Sequence, residues 1–391
     1  SLTLDWDRNL KPPAIVIDNG SGLLKYGFGS ASDEAAPNLI NAFVGRPKYN
    51  RCMIGATRRS VLVGQRATRL MGISRVSYPT TAGAVSSWSD LEMLWSHVYE
   101  ELNHVDPRQH PVLLTEPPLA PMSNRMRTAE IVFESFDAPS LCLQLPQVLS
   151  LYANGHTTGL VLDSGDTLTS AVPIHEGRFD PHTVCSIPVA GRHITQYLAK
   201  LLRREGHKFH TSAEMEVVKR MKHKACQTAF NLRKATEEFD DIDSIFGYKL
   251  PDGRHIKIGL EKFRAPELLF NPSLAGLECS SVHEIVVDAV AKCPVETRRH
   301  VFLQILLAGG STCSRGFPIR LLSEVRKIAQ FPKFSIFPPK KPIELAWQGG
   351  SLLTTLSMFK GMSVKKSDFF EYGEQAFYKK TAASGMMEES L

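Results

Sequence analysis

A glycine-rich turn near the start of the chain has the residue types needed to bind a phosphate. The stretch IDNGSG, residues 17–22, continues the apolar run AIVI and precedes the strand-like LLKYGF. Glycines let backbone N–H groups approach an anion closely, and successive amides form a concavity that binds it without side chains. Ser21 adds a hydroxyl donor and Lys25 a positive charge. The turn is therefore predicted to hold a phosphate group.

A second turn repeats this arrangement later in the chain. GLVLDSGDTLTSAVP, residues 159–173, has the same order of strand, Asp, Gly and strand as AIVIDNGSGLLKYGF, residues 14–28. One such hairpin alone is more simply an ordinary turn, but two with matching aspartates, together with AGGST at residues 308–312, favour a phosphate clamp. Asp18 and Asp163 have carboxylates suited to the water shell of a Mg²⁺ ion. Two similar hairpins also predict duplicated lobes that face each other.

Two common phosphate-binding motifs are excluded. The P-loop pattern G-x-x-x-x-G-K-[ST] does not occur in the sequence. A strand-like segment rather than a helix follows the first glycines, which argues against a Rossmann dinucleotide site.

The bulk composition restricts the function classes. A chain of 391 residues exceeds what one hydrophobic core usually supports, so two lobes are expected. The net charge of +6 is spread along the chain without a basic stripe, which argues against direct nucleic-acid binding.

The seven cysteines are odd in number and never spaced C-x-x-C, which argues against a disulfide framework or a zinc site and suits a reducing compartment. No apolar run approaches the roughly 18 residues of a membrane span, and the N-terminus lacks a signal-peptide core, so we expect no membrane insertion and a cytoplasmic location, with the nucleus as the alternative.

Strand and helix patterns alternate along the chain, which predicts an α/β fold. Short aliphatic runs bounded by turns predict strands at AIVIDNG, PVLLTEP, GLVLDSGD and ILLAGGST. Residues 193–205 place apolar side chains on one helical stripe. Residues 211–230 predict a second helix, opened by a capping box between Thr211 and Glu214.

Several of these motifs together resemble actin and the actin-related proteins. The likeness runs from about residue 13 to 362 and rests on segments that occur in the family's order: VIDNGSGLLKYGF, VGRPK, HPVLLTEPPLAPMSNR, VLSLYANGHTTGLVLDSGD, VAGRHITQYL, KLPDGRHIKIG, FRAPELLFNPS and LAGGST. Within the family, LRREGHKFHTSAEMEVVK, FRAPELLF and GFPIRLLSEVRK resemble centractin, the filament-forming actin-related protein of dynactin.

The resemblance implies an actin-like ATPase fold of two lobes and four subdomains around a nucleotide cleft. Carrying over the motif positions gives subdomain 1 as residues 1–39, 79–152 and 348–391, subdomain 2 as 40–78, subdomain 3 as 153–188 and 279–347, and subdomain 4 as 189–278.

The resemblance also implies a ligand, ATP or ADP with Mg²⁺, and the residues that hold it. Gly20, Ser21, Gly22 and Lys25 match the first phosphate loop, and Asp163, Gly165 and Asp166 match the second. Positions around the sugar, base and phosphates are matched by Gly191, Lys222, Gly309, Gly310 and Ser311. Asp18 and Asp163 are expected to hold the metal through water.

The residues that position the attacking water in actins are replaced here. A segment that reads AVLSLYA in the family is LPQVLSLYA in this chain, so Pro146 stands at the glutamine position and Gln147 follows it. Adjacent helical residues point about 100° apart, so Gln147 is not expected to replace that glutamine. The family histidine is Ser170. We therefore expect weak hydrolysis or none, and no catalytic residue is assigned.

Other replacements concern binding and are expected to weaken it. Thr167 stands where the family has glycine, and a branched residue resists a positive φ. His223 replaces a glutamate beside Lys222, Ser314 replaces the tyrosine that flanks the adenine, and Ala82 replaces a histidine.

Three function hypotheses follow from the resemblance. The first is a filament or scaffold subunit, centractin-like, whose partners are other actin-like subunits and the subunits of a dynactin-type complex that supports dynein-based transport. The second is a non-polymerising actin-related subunit of a nuclear chromatin assembly or a specialised cytoskeletal one, favoured by the polar residues of LAGLECSSV, residues 274–282. The third, a sugar-kinase-type enzyme, lacks support because no group provides a base for a substrate hydroxyl. Residues 48–62 match the actin loop that docks into a neighbouring subunit.

Overall fold

The computed structural model describes residues 12–32, 35–48, 61–239, 245–329 and 333–383. Its strands are β1 Ile15–Asn19, β2 Leu23–Phe28, β3 Asn38–Asn41, β4 Val44–Pro47, β5 Ser74–Ser77, β6 Thr80–Thr81, β7 Ala84–Val85, β8 Val112–Thr115, β9 Ser140–Gln144, β10 Gly159–Ser164, β11 Thr169–Ile174, β12 Cys185–Ile187, β13 Phe246–Lys249, β14 His255–Ile258, β15 Gln304–Ala308, β16 Ser335–Phe337 and β17 Val364–Lys365.

Helices surround these strands. They are α1 Gly64–Arg69, α2 Trp88–Glu101, α3 Met122–Glu130, α4 Pro146–Ala153, α5 Gly191–Arg204, α6 Ser212–Ala225, α7 Leu232–Glu237, α8 Glu261–Arg264, α9 Val282–Lys292, α10 Val295–Leu303, α11 Phe317–Ile328, α12 Leu345–Thr355, α13 Met358–Met362, α14 Lys366–Tyr372 and α15 Gln375–Ala383. In the part of the chain that the structure describes, no helix combines the length and apolar character needed to cross a membrane.

The two main sheets repeat one topology, which confirms the predicted duplication. The first lobe has the strand order β17-β9-β8-β1-β2-β3, and the second has β16-β15-β10-β11-β12. In each lobe the glycine hairpin is antiparallel, β1 with β2 and β10 with β11, and its first strand also pairs in parallel with a later strand, β8 or β15. The fold is therefore α/β with two lobes.

The central strands are apolar because both faces of each sheet are covered. Ile15, Val16 and Ile17 are buried along β1, and β8 is buried throughout. A parallel strand enclosed on both sides is typically a continuous apolar run rather than an alternating one. These runs end at Asp18 and Asp163, so the polar residues begin at one edge of each sheet.

The predicted helices form, with one difference in length. Helix α5 buries the predicted stripe, and Thr211 and Glu214 make both hydrogen bonds of the capping box of α6. Helix α6 ends at Ala225 rather than at residue 230. Beyond it the amide of Gln227 donates to Lys262 O at 3.0 Å and that of Thr228 to Arg315 O at 2.8 Å, so tertiary hydrogen bonds replace helical ones.

Helices α4 and α12 join the lobes beneath the cleft. A Cβ added to Gly349 of α12 would collide with the backbone carbonyl oxygen of Leu149 in α4. Trp347 of α12 donates its indole N–H to Val16 O of β1 at 3.2 Å. The predicted subdomain boundaries at 152/153 and 347/348 fall inside these two helices and remain predictions.

We expect Gly349→Ala to lower the free energy of unfolding by about 3 kcal/mol, because the added methyl group meets backbone that cannot rotate away. Chemical denaturation measures the change. Gly361→Ala in α13 is the matched control, since no atom lies within 4 Å of its added Cβ. Alanine is the better helix former, so the control should be neutral or up to about 1 kcal/mol more stable. Equal losses in both variants would show that the close approach of α4 and α12 does not limit stability.

Candidate functional site: the cleft between the lobes

A cavity of about 640 Å³ lies between the two lobes. Strands β1 and β10 each end at it, as expected for ligand sites at the carboxyl ends of parallel strands. It is lined by all the residues predicted from the sequence, namely Asp18, Gly20, Ser21, Gly22, Lys25, Asp163, Gly165, Asp166, Gly191, Lys222, Gly309, Gly310 and Ser311.

The duplicated hairpins place their aspartates at equivalent positions but give them different partners. Asp18 is paired across the strands with Lys25, and Asp163 is paired with Ser170. Lys25 Nζ donates to Asp18 Oδ2 at 2.8 Å, and Thr115 Oγ1 donates to Asp18 Oδ1 at 2.7 Å. Asp18 is therefore a neutralised, doubly hydrogen-bonded carboxylate. Thr115 was not identified from the sequence, because its role depends on β8 lying beside β1.

Asp163 is the less compensated of the two carboxylates. Burial raises its pKa to about 6, and the negative charge of Asp18 adds to this. The charge of Lys25 and a hydrogen bond from Gln147 act in the opposite direction. Because Lys25 forms its hydrogen bond with Asp18, a further cation beside Asp163 would balance the charge of that carboxylate.

Gln147 corrects an expectation from the sequence, because it does point at the site. Its Nε2 donates to Asp163 Oδ2 and to Ser170 Oγ, each at 3.1 Å, and only 2% of the residue is exposed. Neighbouring helical residues point about 100° apart, and this rotation from Pro146 directs Gln147 toward the hairpin of the second lobe. Its Oε1 is buried and has no hydrogen-bond partner among the described residues. A site at this position therefore offers an acceptor to a bound water.

The second phosphate-type turn is held by helix α5 and the turn after β15. Gly165 O accepts from the amide of Gly191 at 3.1 Å and from Ser311 Oγ at 2.8 Å. Lys222 Nζ of α6 donates to Gly191 O at 2.6 Å. Burial lowers the pKa of Lys222 to about 8, against the opposing charge of Asp166. These contacts bring a lysine and several backbone groups to one wall of the cleft.

Glycine is required at 309 for both conformation and space. Its φ is 84°, and an added Cβ would lie 2.5 Å from Asp163 Oδ1 and collide with Ser164 O. A side chain here would strain the backbone and displace the Asp163 carboxylate.

The expected weakening by Thr167 is not supported by its geometry. Thr167 does not have a positive φ, so the branched side chain is unstrained. Its hydroxyl donates to Ser21 Oγ at 2.9 Å and accepts from the Ala82 amide at 3.0 Å. The positive φ in this region belongs to Ala82, at 50°.

His223 and Ser314 also line the cavity. Burial lowers the pKa of His223 to about 4, and the charges of Lys222 and Lys219 add to this, so the imidazole is neutral at neutral pH. Ser314 Oγ lies 2.9 Å from Thr228 Oγ1 and is used within the protein. His223 thus gives the cavity a neutral imidazole at a position where the resemblance implies a glutamate.

Arg192 is a further cleft residue that was not singled out from the sequence. It donates from Nη2 to Asp166 Oδ2 at 2.7 Å and to Ser21 O at 3.4 Å. Its guanidinium lies 4.0 Å from the centre of the Tyr78 ring. The motif VAGRHITQYL includes Arg192, but only the position of α5 against both turns shows that it crosses the cleft.

The donor set fits a magnesium–polyphosphate. Asp18 and Asp163 supply carboxylate oxygens, Lys25 a cation, and Ser21 with the glycine turns supplies N–H and O–H donors. Gln147 Oε1 is buried and accepts no hydrogen bond within the described ranges of the chain, which fits a site where an ordered water completes the bonding. When bound, the metal would neutralise phosphate charge and polarise the terminal phosphoryl group.

Comparison with known proteins agrees with this geometry. The sequence model of the actin family matches residues 10–382. A protein described as "Actin-like protein" from Neurospora crassa is 45% identical over 363 residues, which cover 91% of this chain and 95% of that protein. The family match and the relative each span nearly the whole chain, and the chain therefore belongs to the actin family.

Proposed function

We propose that this chain is an actin-related subunit of a cytoskeletal filament or scaffold that binds ATP or ADP with Mg²⁺ and hydrolyses ATP weakly or not at all. The observation that supports it most is the facing pair of hairpins around one cavity, with Asp18, Lys25 and Asp163 at the strand ends. A ligand that contacts both hairpins stabilises the folded, closed form by mass action.

The groups that surround Asp163 favour weak hydrolysis. Pro146 begins α4 and has neither a polar side chain nor an N–H, so it cannot orient water. Ser170 has no imidazole nitrogen, and its Oγ accepts a hydrogen bond from Gln147 Nε2 at 3.1 Å. Gln147 reaches the site, but its amide nitrogen is used to brace Asp163 and Ser170. The binding groups are retained, while the two groups that would position water are replaced.

The proposed assembly is centractin-like, with other actin-like subunits and complex subunits as partners, which includes a dynactin-type complex. A cytoskeletal, cytoplasmic location fits this function. Most of the predicted docking loop, residues 48–62, lies outside the described residues. Leu274 lies in a short helical turn, Pro272–Ala275, and is 39% exposed, while Leu277 packs against the core of the second lobe.

The alternative is a non-polymerising actin-related subunit of a nuclear or specialised cytoskeletal assembly. It is favoured by the limited apolar surface of 274–282, where Leu274 is the exposed large hydrophobic residue. Single copies beside unlike chains in a native assembly would distinguish it from a row of identical copies.

Nucleotide binding is tested by identifying the nucleotide that copurifies with the protein and by measuring how the affinity for MgATP depends on pH. Protein purified under native conditions should release adenine nucleotide on denaturation. Because burial raises the pKa of Asp163 to about 6, the carboxylate takes up a proton below that pH and opposes the metal. The Kd for MgATP, measured by calorimetry, should therefore rise about five- to tenfold from pH 6 to pH 5.

Asp163→Asn is the matched control for this pH dependence. It keeps an acceptor for Gln147 and cannot ionise, so it should bind MgATP weakly at both values of pH. Protonation of the nucleotide itself affects both proteins equally and cancels in the comparison. An equal change of Kd in the two proteins would contradict a metal-binding role for Asp163.

Hydrolysis is tested by restoring the family residues as a group. Ser170→His requires space that Gln147 occupies, so the restoring variant is Pro146→Gln, Gln147→Ala and Ser170→His together. Positioned proton-transfer groups contribute roughly 10²–10⁴-fold, so phosphate release should rise by at least about 10²-fold. The single variant Gln147→Ala should show no such rise. Release by the unmodified protein at the rate of assembled actin would overturn the proposal of weak hydrolysis.

Self-assembly is tested at the predicted docking loop. If the chain polymerises through 48–62, replacing residues 50–56 by glycine and serine at equal length should reduce sedimentable polymer in MgATP, because the docking side chains are removed. The melting temperature of the variant controls for folding. Polymer formation at the original level would contradict the docking role of the loop, and absence of polymer in the unmodified protein would favour the single-copy alternative.

A further inference from the structure

Thr167 joins three loops of the cleft with one hydroxyl group. It lies in the turn between β10 and β11 of the second lobe and is 1% exposed. It donates to Ser21 Oγ in the β1–β2 turn at 2.9 Å. It accepts from the amide of Ala82, in the turn between β6 and β7, at 3.0 Å. Both partners belong to the first lobe, so the side chain fastens the lobes across the cleft.

The direction of these bonds leaves the Ser21 proton available to a ligand. The Ala82 amide can only donate, so Thr167 accepts there and its own proton is directed at Ser21 Oγ. Ser21 thus accepts one bond and keeps its O–H, for which no acceptor lies in reach within the described part of the chain. Ser21 lines the cavity. A chain of aligned donors polarises each successive hydroxyl, which strengthens the last donor.

A second contact fixes the backbone of the same residue. Arg192 Nη2 of the second lobe donates to Ser21 O at 3.4 Å while its guanidinium is paired with Asp166 and lies over Tyr78. The hydroxyl and the carbonyl of Ser21 are therefore both held from the opposite lobe.

We propose that Thr167 is a positioning residue that clasps the two phosphate-type turns together and orients the Ser21 hydroxyl toward an anionic group in the cavity. The inference rests on the proposed function for the nature of that anion, a nucleotide phosphate. It accounts for why a threonine is compatible with a position that is glycine in the family. The clasp consists of hydrogen bonds between residues of the protein, from Thr167 to Ser21 and from the Ala82 amide to Thr167.

The first test compares hydrogen exchange of the ligand-free variants Thr167→Val and Thr167→Ser. Valine preserves the shape of threonine without the hydroxyl, and serine preserves the hydroxyl without the methyl group. Loss of the acceptor for the Ala82 amide should speed exchange in residues 80–84 in Thr167→Val, while Thr167→Ser stays close to the unmodified protein. Equal exchange in all three proteins, or equally fast exchange in both variants, would overturn the clasp.

The second test is a double-mutant cycle with Ser21→Ala, measured as MgATP affinity. Loss of one hydrogen bond of this kind corresponds to a change of about three- to tenfold, so Thr167→Val should raise the Kd by that factor and Thr167→Ser should restore it. Because Thr167 acts through Ser21, the double variant should bind no more weakly than Ser21→Ala alone. Independent, multiplicative losses would overturn the positioning role.

The two tests separate this inference from the proposed function. Protein that binds neither MgATP nor MgADP would contradict nucleotide binding. The exchange measurement needs no ligand and still decides whether Thr167 clasps the turns.

Discussion

The cleft depends on one imbalance of charge, two carboxylates at facing strand ends with a single lysine between them. Lys25 Nζ lies 2.8 Å from Asp18 Oδ2, which leaves Asp163 with a neutral amide donor and a pKa raised by burial to about 6. Burying an unpaired carboxylate is costly unless a cation or a proton compensates it. Among the described residues no cationic side chain hydrogen-bonds Asp163, and under the proposed function a divalent cation would balance its charge.

The duplicated topology brings the two aspartates to equivalent positions, and the different residues across each hairpin produce the charge imbalance. Matching β1 with β10 brings both aspartates to the same kind of strand end, while the partner across the hairpin differs, lysine in one lobe and Ser170 in the other. Helices α4 and α12 then hold the lobes at backbone contact, since Gly349 leaves no room for a side chain against Leu149. Close-packed backbone between α4 and α12 thus constrains how the two strand ends face each other.

Much of this architecture follows from the sequence, because hairpins, strand runs and the capping box of α6 are local patterns. The sequence also identified the glycine and aspartate positions that meet in the cavity. It did not predict where Gln147 points, because helical periodicity relates neighbours to each other and not to a strand of the other lobe. It missed Thr115 and Arg192 for the same reason, and it overestimated the strain at Thr167, whose φ is not positive.

The replacements in the cleft compensate one another in volume and in hydrogen bonding. The resemblance implies a histidine at Ser170, and Gln147 lies beside this serine and donates hydrogen bonds to it and to Asp163. Likewise the hydroxyl of Thr167 accepts a hydrogen bond from the Ala82 amide, at a position where the resemblance implies a histidine. Uncompensated loss would leave cavities and unpaired polar groups costing several kcal/mol in total. Under the proposed function, these paired contacts keep the cleft packed around the residues that would bind the nucleotide.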